Sequence, residues 1–478
     1  MTRTKAWGLE EFWGLDYNFD PQWVLTPEQQ ELQAKLIDLC ASTLRSNAIA
    51  SDRDLVYPRH NFEALASLGL LGLLVPKEWG GLGENHTCAA MVVETIARYG
   101  CPSTAMCYVM HLGATAAALL RAADNLELQK VLQRLDEDVF IGSLSYSDPE
   151  TGSHFWYPVS SRAERVAEGW QVFKKASWTT SAGFADWYIV QTTSPEFSGN
   201  YSDLSCFLIY ALEIEAEPQK WDALGLRGNQ SGALLVDGAI VPDDRMVGPQ
   251  GDGASSNDET VDPFFLLCSS ACWNGIAMGA IDIAKRHTTR KKHMDVGMRV
   301  ADYPTIQDYV GEAIMDTNAS RSFVFSMGKL MDDITNNCDW SIHKDLSAMP
   351  RAAYLSWYWQ IKFIAAKNVA HVCDQMLHAC GGSGFKKDLE IERYLRDGKA
   401  GWVMGPTNEV LRQFVGKLAL LGIESLDYWN QNVNERVLQN EVKKLDLEGK
   451  RKLALSLMDQ VALEEEKQSS KTLIESVV

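Results

Sequence analysis

Gly381, Gly382 and Gly384, an Arg396–Asp397 pair and a Gly405-Pro406-Thr407 turn fall within one stretch, HACGGSGFKKDLEIERYLRDGKAGWVMGPTNEVLR, residues 378–412. The glycines let a ligand approach the backbone closely, since no Cβ stands in the way and left-handed backbone is open to them. A helix opening at Thr407 leaves its first N–H groups without helical partners and presents its positive end, which suits an anion. Together these pieces offer a seat for an anionic ligand. A basic run at residues 285–293, KRHTTRKKH, reads by itself as a solvated helix end.

These residues must be held by a large scaffold. The chain has 478 residues, 46% hydrophobic and 23% charged, enough for two or three packed domains. Its net charge of -18 argues against nucleic acid or an anionic membrane as the main partner, because both need a basic surface. The ten cysteines include no CxxC pair and suit neither a metal site nor a disulfide framework, so a reducing, cytoplasmic setting is expected. The N-terminal residues show no secretory pattern, and no apolar run is long enough and uninterrupted enough to span a bilayer.

The pattern along the chain implies an α+β protein, mostly α. After an N-terminal segment (1–26), residues 27–138 read as an α-helical domain, opened by Thr26 as N-cap and Pro27 in the first turn. Short β-branched and aromatic runs separated by Gly, Asp, Ser and Pro make residues 139–250 a small middle β domain. A Gly-rich linker at GPQGDGASSND leads into a helical bundle (251–425). Residues 426–478, rich in Glu and Lys, form a helical extension.

The 378–412 stretch, the Val75-Pro76…Trp79-Gly80-Gly81 segment and the order helices, β domain, bundle resemble the acyl-CoA dehydrogenase superfamily over roughly residues 30–422. The resemblance implies FAD as cofactor. By motif position, Ser147 would bond the flavin's pyrimidine side, Thr180 would contact N5 and Trp178 would lie along the ring. Gly381, Gly382, Gly384, Thr407 and Glu409 take the family's other cofactor positions. The R-x-x-F-G motif that normally meets the diphosphate falls on Arg290 or Lys291, without its phenylalanine. A homodimer or homotetramer, an acyl-CoA substrate and an electron-transfer flavoprotein as possible partner are implied in the same way.

The family's catalytic carboxylate is missing. Its two known placements fall on Gly405 and Phe265, and neither accepts a proton. The nearest carboxylates are Glu259 and Asp262. Pro263 suits a first helical turn, which would make Asp262 its N-cap, while a place one turn before Phe265 makes Asp262 a candidate displaced base. Three readings follow: a flavin-dependent acyl-CoA oxidoreductase with a displaced or dispensed-with base; a flavin monooxygenase of the same fold, for which His154 is the nearby histidine; and a non-catalytic flavin- or acyl-CoA-binding subunit.

Overall fold

The computed structural model describes residues 24–152, 158–195, 197, 203–217, 221–422, 438 and 441–475. His154, residues 1–23 and much of the extension lie outside the described residues.

The first helix starts where the sequence places it. The Thr26 hydroxyl accepts from the Gln29 N–H, and the Gln29 side chain accepts in return from the Thr26 N–H, a closed capping box with Pro27 in the first turn. Among the described residues, the N-terminal part carries α1 (Pro27–Leu39), α2 (Arg45–Arg53), α3 (Arg59–Ala66), α4 (His86–Tyr99), α5 (Pro102–Leu119) and α6 (Leu126–Gln133). α4 and α5 are buried almost all round, as their small and apolar residues allow. The glycine segment before α4 is a close backbone crossing: a Cβ on Gly81 would stand 2.3 Å from the Val75 carbonyl oxygen.

Among the described residues, seven strands of the middle domain join one sheet: β1 (Gly142–Ser145), β2 (Arg162–Val166), β3 (Gly169–Ala176), β4 (Trp187–Thr193), β5 (Leu204–Tyr210), β6 (Glu215–Ala216) and β7 (Leu234–Val241). β1 runs parallel to β4, and β5 pairs with β4 antiparallel. β4 is buried along its whole length, matching its continuous WYIVQTT run. The end of β3 pairs with the start of β7, Ala176 opposite Leu234, so the loop after β3 and the loop before β7 emerge side by side.

The bundle comprises α7 (Gly253–Ser256), α8 (Asp262–Arg290), α9 (Pro304–Ile334), α10 (Leu355–Gly384), α11 (Ile391–Val403) and α12 (Asn408–Leu421), with a short ribbon of β8 (Lys292–His293) and β9 (Met298–Arg299) between α8 and α9. A second compact unit, mainly residues 417–478, carries α13 (Leu447–Glu475). The helical run Gly253–Arg290 is long and apolar enough to cross a membrane, but its apolar window is buried within the fold.

Two expectations change at the start of this run. The stretch read as a linker is helical from Gly253, and Asn257–Val261 form a π turn that joins α7 to α8. Asp262 therefore has helical backbone (φ -59°, ψ -50°) and is not an N-cap. Pro263 is accommodated because the wider π turn just before it already interrupts the regular hydrogen-bond ladder that a proline cannot continue.

A buried ion network fixes that π turn. Glu259 and Arg351 are both fully buried; Arg351 Nη1 donates to Glu259 Oε1 at 2.7 Å, and the N–H groups of Arg351 and Ala352 donate to Oε2. Arg351 Nε donates to His86 Nε2 at 2.9 Å, and His86 Nδ1 pairs with Asp332 at 2.8 Å. His343 Nε2 takes a further Arg351 proton at 3.1 Å. Burial, reinforced by the Arg351 charge, pushes both histidines down to about 4, so they stay neutral acceptors. Arg351→Met should destabilise the fold by roughly 3–5 kcal/mol in denaturant titration, because it strands a buried carboxylate. The Glu259→Gln/Arg351→Met double variant should recover part of that loss.

Candidate active site

The loops after β1 and β3, the N-terminal turns of α8 and the turn between α11 and α12 enclose a cavity of about 420 Å³. The β domain supplies its polar side. Ser147 Oγ donates to the Trp178 carbonyl at 2.9 Å, tying the β1 loop to the β3 loop. Thr180 and Ser231 hydroxyls lie 2.9 Å apart, joined by the side-by-side exit of β3 and β7. Trp178 stands edge-on to Trp221 and is 55% exposed, leaving indole surface for a flat ring to cover.

The helical side is apolar. Val261 and Phe265 of the π turn and α8 line it, and Val403, Met404, Gly405 and Thr407 close it from the α11–α12 turn. Asp148 is the carboxylate among the described lining residues. It is already engaged, accepting from the Glu150 and Ser160 N–H groups and the Ser161 hydroxyl.

Ser147, Trp178, Thr180, Thr407, Phe265 and Gly405, singled out from the sequence, thus meet at one cavity. Asp262 does not line it. Counting three residues back from Phe265 put the two on one face, but the cavity takes the Val261–Phe265 edge. The Asp262 carboxyl instead reaches Trp359 Nε1 of α10 at 3.5 Å, and its other oxygen has no hydrogen-bond partner among the described residues. Burial, with the Asp258 charge adding, pushes Asp262 up to about 7.

The remaining positions lie elsewhere. Arg290 and Lys291 border a second, open depression with Arg45, Arg286, Asp388 and Glu390. Phe265 and Arg290 are 25 residues apart on α8, roughly 37 Å at the rise of an α-helix. The glycine turn closes α10, where Gly381 breaks the helix with φ +56° and a Cβ on Gly381 or Gly382 would meet nothing within 4 Å among the described residues. Glu409 is on the surface, paired with Arg412. Arg396 and Asp397 are structural: Arg396 pairs with Asp52 at 2.7 Å, and Asp397 accepts from the Leu226 N–H at 2.6 Å.

One residue of this site was passed over in the sequence. Lys362 of α10 is fully buried behind the α11–α12 turn, and its ammonium donates to the carbonyls of Met404 (3.1 Å) and Pro406 (2.9 Å) and to Asn408 Oδ1 (3.0 Å). Burial lowers its pKa to about 7, while three acceptors match the three protons of the ammonium form. A lone lysine inside LSWYWQIKFIAA is the signal that marks it.

A helical domain, a small β domain and a bundle meet at a cavity with a hydroxyl-rich rim and an open indole. The chain belongs to the acyl-CoA dehydrogenase superfamily: residues 26–136 match its N-terminal domain and residues 267–420 its C-terminal domain. The probable acyl-CoA dehydrogenase fadE25 of Mycobacterium leprae is 26% identical over 401 residues, 83% of this chain and 96% of that protein. Cyclohex-1-ene-1-carbonyl-CoA dehydrogenase of Geobacter metallireducens is 24% identical over 83% of this chain and 99% of its own. Among solved structures, glutaryl-CoA dehydrogenase in its glutaryl-CoA complex (TM-score 0.72, 20% identity, 85% of this chain and 97% of that one) has the same fold. So does butyryl-CoA dehydrogenase of Megasphaera elsdenii (TM-score 0.71, 19% identity, 84% and 100%). The protein is thus an acyl-CoA dehydrogenase-like oxidoreductase of a flavin-dependent family.

The position of Asp262 gives a pH-dependent stability. A carboxyl whose pKa is raised in the folded state is protonated in both states below its unfolded pKa of 3.8; its cost to stability grows as pH rises from there to about 7 and is complete above that. Asp262→Asn should therefore raise the melting temperature more at pH 8 than at pH 5, with a gain on the order of 1–3 kcal/mol at the alkaline end. Equal shifts at both pH values would contradict this.

Proposed function

We propose that the chain binds FAD with the flavin ring against Trp178 and oxidises an acyl-CoA thioester whose acyl group lies between Phe265 and the α11–α12 turn. The observation that carries this reading is the convergence of Ser147, Trp178 and Thr180 with Phe265, Gly405 and Thr407 on one cavity. The donors fit a flavin: hydroxyls for its polar edge, an indole for its face, an apolar wall for its substrate side. When bound, FAD supplies a hydride acceptor.

Gly405 and Phe265 provide no base, and Asp148 is held in the structure by three donors. Abstraction of an α-proton requires a basic group within hydrogen-bond reach. The substrate we infer is therefore one whose α-proton is already acidified by a neighbouring group, or whose oxidation dispenses with a carboxylate base. Straight-chain acyl-CoAs should react slowly.

The separation of the two cofactor half-sites supports a homo-oligomer. Arg290 and Lys291, at the far end of α8 from Phe265, would lie too far away to serve a dinucleotide held at Trp178 of the same chain. In a homodimer or homotetramer they would receive the diphosphate and adenine of a second subunit's FAD. An electron-transfer flavoprotein is the acceptor this reading implies.

The purified protein should carry near-stoichiometric FAD, and Trp178→Ala should weaken FAD binding about tenfold, corresponding to roughly 1.4 kcal/mol of lost ring packing. Light scattering should give at least twice the chain mass for the FAD-loaded form. A colourless protein that does not bind FAD in fluorescence titration would defeat the reading.

A further inference from the structure

The turn that replaces the family's carboxylate is wired from behind. Lys362 Nζ reaches the carbonyl oxygens of Met404 and Pro406, one on each side of Gly405, and its third proton goes to Asn408 Oδ1. Asn408, itself fully buried, donates through Nδ2 to the Phe363 carbonyl at 3.2 Å, which anchors the far side of the turn to α10. The peptide units Met404–Gly405 and Pro406–Thr407 are trans, so in each the N–H points opposite to the C=O. With both carbonyls drawn to one buried ammonium, both N–H groups are directed away from it. Gly405 and Thr407 line the cavity, and Lys362 does not.

We propose that Lys362 is the positioning residue of the acyl-thioester site: its ammonium fixes which way the two peptide units face, and so sets how firmly the cavity holds a ligand carrying a carbonyl oxygen. A compact group with three protons is what the geometry calls for. A neutral side chain of similar length leaves two buried carbonyls without a donor, and the planar fork of arginine cannot reach three acceptors gathered around one point. Residue 405 is then glycine without loss of order in the turn, because order comes from behind the backbone rather than from a side chain in the cavity. This proposal rests on the functional reading above, and it concerns a residue that touches neither cofactor nor substrate.

The test uses the full-length, FAD-loaded protein and its Lys362→Met variant, with butyryl-CoA labelled at the thioester carbon as probe. In Lys362→Met, amide hydrogen exchange across residues 405–411 should quicken about tenfold or more, while exchange in the middle of α8 stays unchanged. The butyryl-CoA dissociation constant should rise about tenfold or more, and the infrared band of the bound thioester carbonyl should move back toward its free-solution frequency, with FAD content unaltered. A folded Lys362→Met protein with wild-type exchange and a wild-type carbonyl band would overturn the proposal. If Lys362→Met does not fold, Asn408→Ala must quicken exchange and shift the band in the same direction, and wild-type values there overturn it equally. Should wild-type protein bind FAD but no butyryl-CoA, the substrate reading fails. The exchange comparison alone then decides whether Lys362 orders the turn.

Discussion

A single guanidinium with no access to water, that of Arg351, sets the geometry on which the site depends. It neutralises Glu259 within the π turn, and it is itself held by two neutral histidines and packed over the rings of Phe264 and Trp340. Removing either charge would leave the other buried and unpaired, so the π turn cannot relax cheaply into a regular helix. That turn shifts the phase of everything after it on α8. Val261 and Phe265 meet the cavity, and Asp262 is carried round to Trp359.

The cavity divides its chemistry between two supports. Polar groups come from strand ends, where pairing of β3 with β7 places Thr180 beside Ser231 and the Ser147 hydroxyl ties one loop to the other. Apolar groups come from helices whose close contacts are secured by small residues. A Cβ on Gly275 would stand 2.4 Å from the Glu94 carbonyl oxygen, and one on Gly279 would stand 2.4 Å from the Tyr394 ring. The fold of the superfamily is thus kept, and Lys362 holds the turn at Gly405 from behind.

Much of this was legible in the chain itself. The Thr26–Pro27 start, the alternation of short β runs with turn residues and the long apolar helices report local preferences that tertiary packing did not override. The meeting of Ser147, Trp178 and Thr180 with Phe265 and Gly405 at one cavity was legible only through motif register, since nothing in their spacing alone brings strand loops to a bundle turn. The failures have a common cause. GDGASSND reads as a linker and Asp262 as a cap because glycine, serine and Pro263 are terminus signals. Here a π turn, paid for by a buried ion pair between residues 92 positions apart, carries the helix through them. Lys362 was missed because a lysine in an apolar helix finds its purpose only when the carbonyls of Met404 and Pro406, some forty residues on, are in place.

The central claim is that the cavity retains a dehydrogenase's cofactor and substrate geometry but lacks its base. Rapid anaerobic mixing of butyryl-CoA with FAD-loaded wild-type and Gly405→Glu proteins, followed through the flavin's visible absorption, tests it most directly. The account predicts slow bleaching in the wild type and an acceleration of roughly two to four powers of ten in Gly405→Glu, the usual worth of a positioned base. Fast bleaching of the wild type, left unchanged by the introduced carboxylate, would show that a base acts from elsewhere and would contradict the account.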